Sequence, residues 1–88
     1  MSDSNKSTHI PETAGGEVSF TGSTTIETEL RETQSYGAVL AQDSVAACAS
    51  LSATLDSTKR KLTIKAWKAD GVTAADVACK VVWFAFGK

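Results

Sequence analysis

The chain has 88 residues, a formal net charge of −1 at pH 7 and a hydrophobic fraction of 42%. This length gives room for one domain with a modest core, and such small domains often depend on oligomerisation. A net charge so close to zero excludes a global electrostatic attraction to nucleic acid or to an anionic membrane. The longest apolar run is far too short to span a membrane, so we expect no membrane partner.

Residues 1–16 differ in composition from the rest of the chain, and we expect them to form a flexible N-terminal arm. Polar residues dominate the segment, Pro11 interrupts any regular element, and Gly15-Gly16 suggests a flexible joint. Two interpretations stay open: a disordered tail, or an arm that orders on a partner through Ile10 and Pro11. The start of the sequence lacks the apolar segment of a secretory signal, so we expect the protein to be made and kept in a cytoplasm.

The first half of the remaining chain predicts short β-strands. Apolar and polar residues alternate in residues 17–20 and 25–30, which is typical of half-buried strands. The link Thr21-Gly22-Ser23 suits a turn, so these two strands are predicted to pair as a hairpin. Residues 36–40 predict a third short strand.

The second half of the chain has the clearest strand patterns. Residues 49–55 and 62–67 alternate apolar and polar side chains and are joined by the polar link 56–60, so they form the best predicted hairpin. The last run, residues 81–86, is the most apolar segment of the chain.

These elements together predict an all-β fold, a small antiparallel β-sandwich or barrel of about six strands. Its domain would cover residues 17–88, preceded by the arm of residues 1–16. The Ala-rich stretches 44–49 and 74–80 allow a short helical turn in at most one of the two places.

The residues with catalytic potential do not form a recognisable site. His9 is the only histidine and lies in the predicted arm, so a Ser-His-Asp or Cys-His arrangement would need the arm to fold back. No group of His, Cys, Asp and Glu has metal-ligand spacing. Glu27 and Glu29 share one face of a predicted strand, and a solvated strand face explains them better than a carboxylate pair. We therefore expect no enzymatic activity and no cofactor or metal.

Cys48 and Cys79 are the two cysteines of the chain. We expect them to be small buried apolar side chains that do not form a disulfide. A disulfide stays open as an alternative, although it would need an oxidising compartment that the N-terminus does not predict.

A basic segment, Lys59-Arg60-Lys61, lies in the link of the best predicted hairpin, with Lys65 and Trp67 nearby. Basic residues beside an aromatic ring can bind single-stranded nucleic acid. The chain as a whole is slightly acidic, so we expect a solvated hairpin tip, or a tip that docks on an acidic protein surface.

The last strand has two apolar faces, because successive side chains of a strand point to opposite sides. We call them the Val81 face (Val81, Trp83 and Ala85) and the Val82 face (Val82, Phe84 and Phe86). A single second layer covers one of them, so the other must meet another sheet, a subunit or a different protein. We expect the larger Val82 face in the core and Trp83 in the contact surface. Trp67 is either packed across lysine stems or a second contact residue.

Two runs of residues in the last third of the chain resemble a known protein family. The run Lys61-Leu62-Thr63-Ile64-Lys65-Ala66-Trp67-Lys68 and the ending Val81-Val82-Trp83-Phe84-Ala85-Phe86-Gly87 resemble the last third of small tailed-bacteriophage virion proteins, the head decoration or cement proteins. The resemblance implies a β-fold that sits on the outer surface of a capsid, often as a trimer, and stabilises the shell. It transfers no catalytic residue.

On this resemblance we expect a virion protein whose partner is the major capsid protein and which also forms a homo-oligomer. The expected contact residues are Trp67, Trp83, Lys65, Ile10 and Pro11. One alternative is a glycan-binding module that stacks sugars on Trp67 and Tyr36. A weaker alternative is a module that binds single-stranded nucleic acid through the basic segment.

Overall fold

The computed structural model describes residues 12–88. Six strands lie within these residues: β1 (Glu12–Thr21), β2 (Ser23–Glu27), β3 (Thr33–Leu40), β4 (Ser50–Leu55), β5 (Lys61–Trp67) and β6 (Ala78–Gly87). They form two antiparallel three-stranded sheets, with strand orders β1-β6-β3 and β2-β5-β4. The all-β prediction with about six strands is confirmed. Neither Ala-rich stretch is helical in this part of the chain.

Strand β1 is longer than the sequence predicted, since it begins at Glu12. Five residues expected in the arm therefore lie in a strand that pairs with β6 along its whole length. Gly15 and Gly16, predicted as a flexible joint, stand opposite Phe84 and Trp83 in this ladder. Backbone hydrogen bonds to β6 order a segment whose own side chains bury little. Residues 1–11, with Ile10 and Pro11, lie outside the described residues.

The predicted hairpin between the first two strands is wrong, because β1 and β2 belong to different sheets. Gly22 forms a corner with φ of +81°, a backbone conformation that glycine adopts without steric cost. Its carbonyl oxygen accepts a hydrogen bond of 2.9 Å from the amide of Ala66 on β5. The chain thus passes from one sheet to the other at this residue. The second predicted hairpin is confirmed as the antiparallel pair of β4 and β5.

The core lies between the two sheets, which pack face to face. Strand β5 supplies Leu62, Ile64 and Ala66, all fully buried. Val81 and Ala85 of β6 are also fully buried. Partly buried apolar side chains from the other four strands pack around Leu62, Ile64 and Val81: Val18, Phe20, Ile26, Ala38, Leu40, Leu51 and Ala53.

The assignment of the two faces of the last strand was wrong. The Val81 face points into the core, and the side chains of the Val82 face are 38% (Val82), 39% (Phe84) and 43% (Phe86) exposed. Opposite Leu62 and Ile64, β6 contributes the buried Val81 and Ala85 and the half-buried Trp83. The two phenylalanines lie on the outside of the first sheet.

Cys48 and Cys79 form a disulfide, with their Cα atoms 6.5 Å apart. The expectation of two separate apolar side chains was therefore wrong, and the alternative is the one observed. Both residues are fully buried and pack with Ala66 and Ala75 in a second small core cluster. The bond joins β6 of the first sheet to the segment that precedes β4 of the second sheet.

The end of β6 is clamped by the loop between β2 and β3. The carbonyl of Lys88 accepts hydrogen bonds from the amides of Arg31 (2.6 Å) and Glu32 (3.2 Å), and its own amide donates to the carbonyl of Glu32. Beneath these bonds, the buried hydroxyls of Thr28 and Thr33 lie 3.0 Å apart. The loop and the last strand therefore hold each other in place.

Loss of the disulfide is expected to lower the free energy of unfolding by about 3.5 kcal/mol, because it closes a loop between residues that are 31 positions apart. Urea unfolding with and without reductant measures this difference. The Cys48→Ala/Cys79→Ala double variant is the control and should not respond to reductant. Free thiols in the native protein, or an unchanged unfolding midpoint on reduction, would contradict the assignment.

Gly87→Ala is expected to destabilise the protein by about 2–3 kcal/mol, because the added methyl group would overlap the carbonyl of Glu32 in the clamp. Gly71→Ala is the matched control. A methyl group at Gly71 meets nothing within 4 Å, and its φ of +78° alone should cost about 1 kcal/mol. Thermal or chemical unfolding of both variants measures the difference. Equal losses would show that the clamp does not constrain the chain end.

Candidate interaction surfaces

The outer side of the first sheet carries an apolar patch at its centre. It consists of the Val82 face together with Val39 of β3, which stands opposite Val82 and is 54% exposed. The rings of Phe84 and Phe86 contact each other in a tilted arrangement, with centroids 6.0 Å apart. Because β6 is the middle strand, the patch lies in the interior of the sheet surface and not at its edge. We call it the outer patch.

The ring of Phe84 lies across Gly37 of the neighbouring strand. A Cβ atom at Gly37 would lie 2.5 Å from the ring carbon Cζ of Phe84. Gly15 stands opposite Phe84 on the other neighbouring strand, so glycine flanks the phenylalanine on both sides. The missing side chain at Gly37 leaves room for the ring. Phe84 therefore covers Gly37 and still presents aromatic surface to solvent.

Few charges surround the outer patch. Among the described residues of the three strands, the outward positions carry one acid, Glu17, and one base, Lys80. Both lie toward one end of the patch, away from Phe86. Contiguous exposed apolar surface of this kind marks contact sites in soluble proteins. The outer patch therefore favours an apolar partner surface over a strongly charged one.

Trp83 lies on the inner side of the first sheet and not with the outer patch. It is half-buried and packs against the core residues Leu62, Ile64 and Val81. Its indole ring lies beside Gly16, where an added Cβ would lie 3.3 Å from Nε1. The structure thus places this predicted contact residue mainly in the packing between the sheets.

Trp67 and Lys65 lie on the outer side of the second sheet. The indole N–H of Trp67 donates a hydrogen bond of 3.0 Å to the hydroxyl of Ser52, and the ring is half-buried. Threonine hydroxyls at positions 25 and 63 lie 3.3 Å apart on the same side. This surface is polar, in contrast to the outer patch. Tyr36 lies on the inward side of β3 in the other sheet, so it does not form one stacking platform with Trp67.

The basic segment follows a tight turn that Asp56 organises. The Asp56 carboxylate accepts hydrogen bonds from the hydroxyl of Thr58 (2.7 Å) and from the amides of Arg60 and Lys61 (3.1 Å each). The hydroxyl of Thr58 is the main cause that lowers the pKa of Asp56 to about 2, and the Lys61 amide adds to it. The turn therefore keeps its acceptor charged to a lower pH than an ordinary aspartate.

Each basic side chain of this segment has an acid close by. Lys59 Nζ lies 3.7 Å from a carboxylate oxygen of Glu32. Lys61 stands opposite Glu27 in the β2–β5 ladder, and Arg60 lines a shallow cavity with Glu27 and Glu29. The predicted docking tip is therefore a mixed-charge surface and not a free cationic patch, which reduces its attraction to nucleic acid.

Sequence reasoning missed Val39, a residue of the outer patch, and Gly37, over which the ring of Phe84 lies. Val39 belongs to a predicted strand, but its place beside Val82 depends on the register of β3 against β6. Residues that are more than forty positions apart meet there, and no local pattern specifies that register.

In comparisons with known proteins, no family model, no curated protein and no solved structure matches this chain. Within residues 12–88, no helix is long and apolar enough to cross a membrane. The same residues contain no group of three or more His, Cys, Asp or Glu side chains that could hold a metal ion. The surfaces described above are thus the observations from which a function is proposed.

Acidification is expected to weaken the turn at Asp56. Its pKa is lowered from the ordinary value of 3.8 to about 2 in the folded protein. A carboxyl whose pKa is lowered on folding stabilises the folded state at pH values above its ordinary pKa. This contribution disappears as the pH falls from about 4 to about 2. Carboxyl NMR titration of Asp56, with the amide shifts of Arg60 and Lys61, measures the effect.

Asp56→Asn provides the control for this titration, because asparagine keeps an acceptor oxygen and does not titrate. The Arg60 and Lys61 amides of the variant should show no matching transition in the same pH range. A midpoint near 3.8 in the wild-type protein would contradict the hydrogen bonds of the turn.

Proposed function

We propose that this protein is a non-enzymatic structural protein that attaches to a larger protein assembly through the outer patch. The observation that carries the proposal is the uncovered apolar centre of the first sheet, with Phe84 and Phe86 about two-fifths exposed. An apolar strand surface normally needs a covering layer, and the middle strand β6 has an apolar surface on each side. The second sheet supplies one of these layers, and the proposed partner supplies the other.

The energetics of such an attachment favour many copies acting together. Covering roughly 300 Å² of apolar surface contributes about 7 kcal/mol, and association costs offset much of this gain. One copy would therefore bind its partner with moderate strength. A protein that binds an assembled shell and not its free subunits shifts the equilibrium toward the shell by mass action, and many copies multiply the effect.

The proposed assembly is the capsid of a tailed bacteriophage, with the major capsid protein as the partner. The resemblance of the last third of the chain to head decoration proteins supports this choice. The two runs of residues that carry the resemblance correspond to β5 and β6, which are the middle strands of the two sheets. We also propose that the protein forms a homo-oligomer, with a trimer favoured, on the capsid surface.

The location proposed for the protein is the virion, after synthesis in the host cytoplasm. The disulfide between Cys48 and Cys79 fits this order of events. Disulfides persist in oxidising surroundings, and a released particle meets such surroundings outside the cell. The bond would then stabilise the protein at the stage when the particle must survive.

Replacing the two phenylalanines should weaken attachment without unfolding the protein. The Phe84→Ser/Phe86→Ser variant is expected to bind undecorated phage heads at least about tenfold more weakly, because central aromatic anchors dominate contact energies. Co-sedimentation with heads measures binding, and the gain of the heads in heat resistance measures cementing.

Val72→Ser is the matched control for this experiment. Val72 is 78% exposed, lies in the loop before β6 and is not part of the outer patch. This variant should bind heads as well as the wild-type protein. If the wild-type protein neither sediments with heads nor raises their heat resistance, the capsid proposal is wrong. If both variants bind equally well, the outer patch is not the attachment surface.

A further inference from the structure

A notch of about 320 Å³ lies on the outer side of the second sheet, where two segments follow each other along one edge of β5. We call it the Trp67 notch. Strand β2 pairs with β5 from Ser23 onward, and Ser23 stands opposite Lys65. On the other side of the notch, Ala74 is the neighbour of Trp67. The notch opens between these two segments and is separate from the outer patch, which belongs to the other sheet.

Backbone hydrogen bonds hold both walls of the Trp67 notch against β5. The carbonyl of Gly22 accepts a hydrogen bond of 2.9 Å from the amide of Ala66, and the carbonyl of Ala66 accepts one of 2.9 Å from the amide of Ala75. An added Cβ at Gly22 would lie 3.7 Å from the carbonyl oxygen of Ala75, so the two walls come close together beside Ala66. Sites built on paired strands are held more precisely than sites on loops. The fold itself therefore keeps the notch in shape.

The indole ring of Trp67 forms part of the notch in a fixed position. Its N–H donates a hydrogen bond of 3.0 Å to the hydroxyl of Ser52 on β4. Strand β4 flanks β5 on the side away from β2, so the bond directs the nitrogen of the ring away from the β2 wall. Because this donor is already used, the ring offers carbon surface to the notch. Aromatic surface of this kind packs against the apolar faces of ligands.

The polar side chains of the notch carry hydroxyl groups and one ammonium group. Thr21, Ser23 and Lys65 line it, and all three are exposed. None of the described residues that line the notch is acidic. Among residues 12–88 no carboxylate forms an ion pair with Lys65, whereas Lys59 and Lys68 each pair with an acid. The notch thus combines carbon surface, hydroxyl groups and a positive charge that it does not neutralise itself.

We propose that the Trp67 notch binds a uronic acid residue of a glycan, a sugar that carries a carboxylate. The C–H face of its ring packs on the indole, its hydroxyls pair with Thr21 and Ser23, and its carboxylate pairs with Lys65. A neutral sugar would leave the ammonium group without a partner, and a simple organic acid would leave the hydroxyls without one. The inference goes beyond the proposed function, because the notch and the outer patch lie on opposite outer sides of the molecule.

A nucleotide is a poorer occupant of the notch than an acidic sugar. Proteins that bind single strands combine stacking rings with a positively charged groove that follows the backbone. Among the described residues that line the notch, Lys65 is the one cation. The basic segment lies at the other end of β5 and is balanced by acids. One sugar carboxylate needs one cation, which the notch supplies.

The test is an NMR titration of ¹⁵N-labelled protein with the methyl glycosides of glucuronic acid and galacturonic acid. Binding should shift the indole N–H signal of Trp67 and the amide signals of Gly22 and Ser23. The indole signal of Trp83, between the sheets, should stay in place. Two probes separate the parts of the ligand: the neutral methyl glucoside lacks the carboxylate, and cyclohexanecarboxylate lacks the hydroxyls. Each should bind about fivefold more weakly than the sugar acids.

Lys65→Gln is expected to reduce affinity for the sugar acids about fivefold, since it removes one exposed ion pair, and to leave the neutral glucoside unaffected. Lys61→Gln is the matched control, because Lys61 is an exposed lysine on the same side of the same strand. Ala74→Leu changes an exposed residue, fills the notch and should abolish binding. The Phe84→Ser/Phe86→Ser variant should keep sugar binding, which separates this site from head attachment.

Four results would overturn the proposal. One is the absence of shifts at Trp67 and Ser23 with about 20 mM of either sugar acid. Equal binding of cyclohexanecarboxylate would reject the sugar, and equal binding of the neutral glucoside would reject the role of Lys65. The fourth is a shift of the same signals by a thymidine oligonucleotide at lower concentration than the sugar acids need, because this outcome would assign the notch to single-stranded nucleic acid.

Discussion

Strand β6 has two apolar faces, and the second sheet covers one of them. Much of the molecule follows from this constraint. The Val81 face closes the core against Leu62 and Ile64, and Cys79 on the same side carries the disulfide. Position in the middle of the first sheet gives β6 a neighbour on each side and keeps the Val82 face away from any edge. The aromatic surface that results is the feature on which the proposed function rests.

The sequence predicted the strands better than it predicted their arrangement. The alternation of apolar and polar residues predicted where strands form, as in the β4–β5 hairpin. This pattern depends only on neighbouring residues in the sequence. The hairpin expected at Gly22 failed, since a glycine with positive φ serves a hairpin turn and a corner between sheets equally well. The prediction of which face of β6 lies in the core was wrong, because the size of a side chain does not show how much space the fold leaves for it. Phe84 lies outside against Gly37, and that contact depends on a register between distant residues.

The two outer sides of the molecule have different chemistry. The outer patch is apolar and nearly uncharged, whereas the outer side of the second sheet carries hydroxyls, Lys65 and a half-buried Trp67. The basic segment is balanced by nearby glutamates.

Solvent accessibility of the β6 side chains tests the central claim most directly. A soluble paramagnetic agent broadens the NMR signals of side chains that it can approach. In dilute free protein, strong broadening is expected for Val82, Phe84 and Phe86, and weak broadening for Val81 and Ala85. The reverse pattern would place the phenylalanines in the core and contradict the account. Equal protection of both sets would show that a further layer already covers the outer patch.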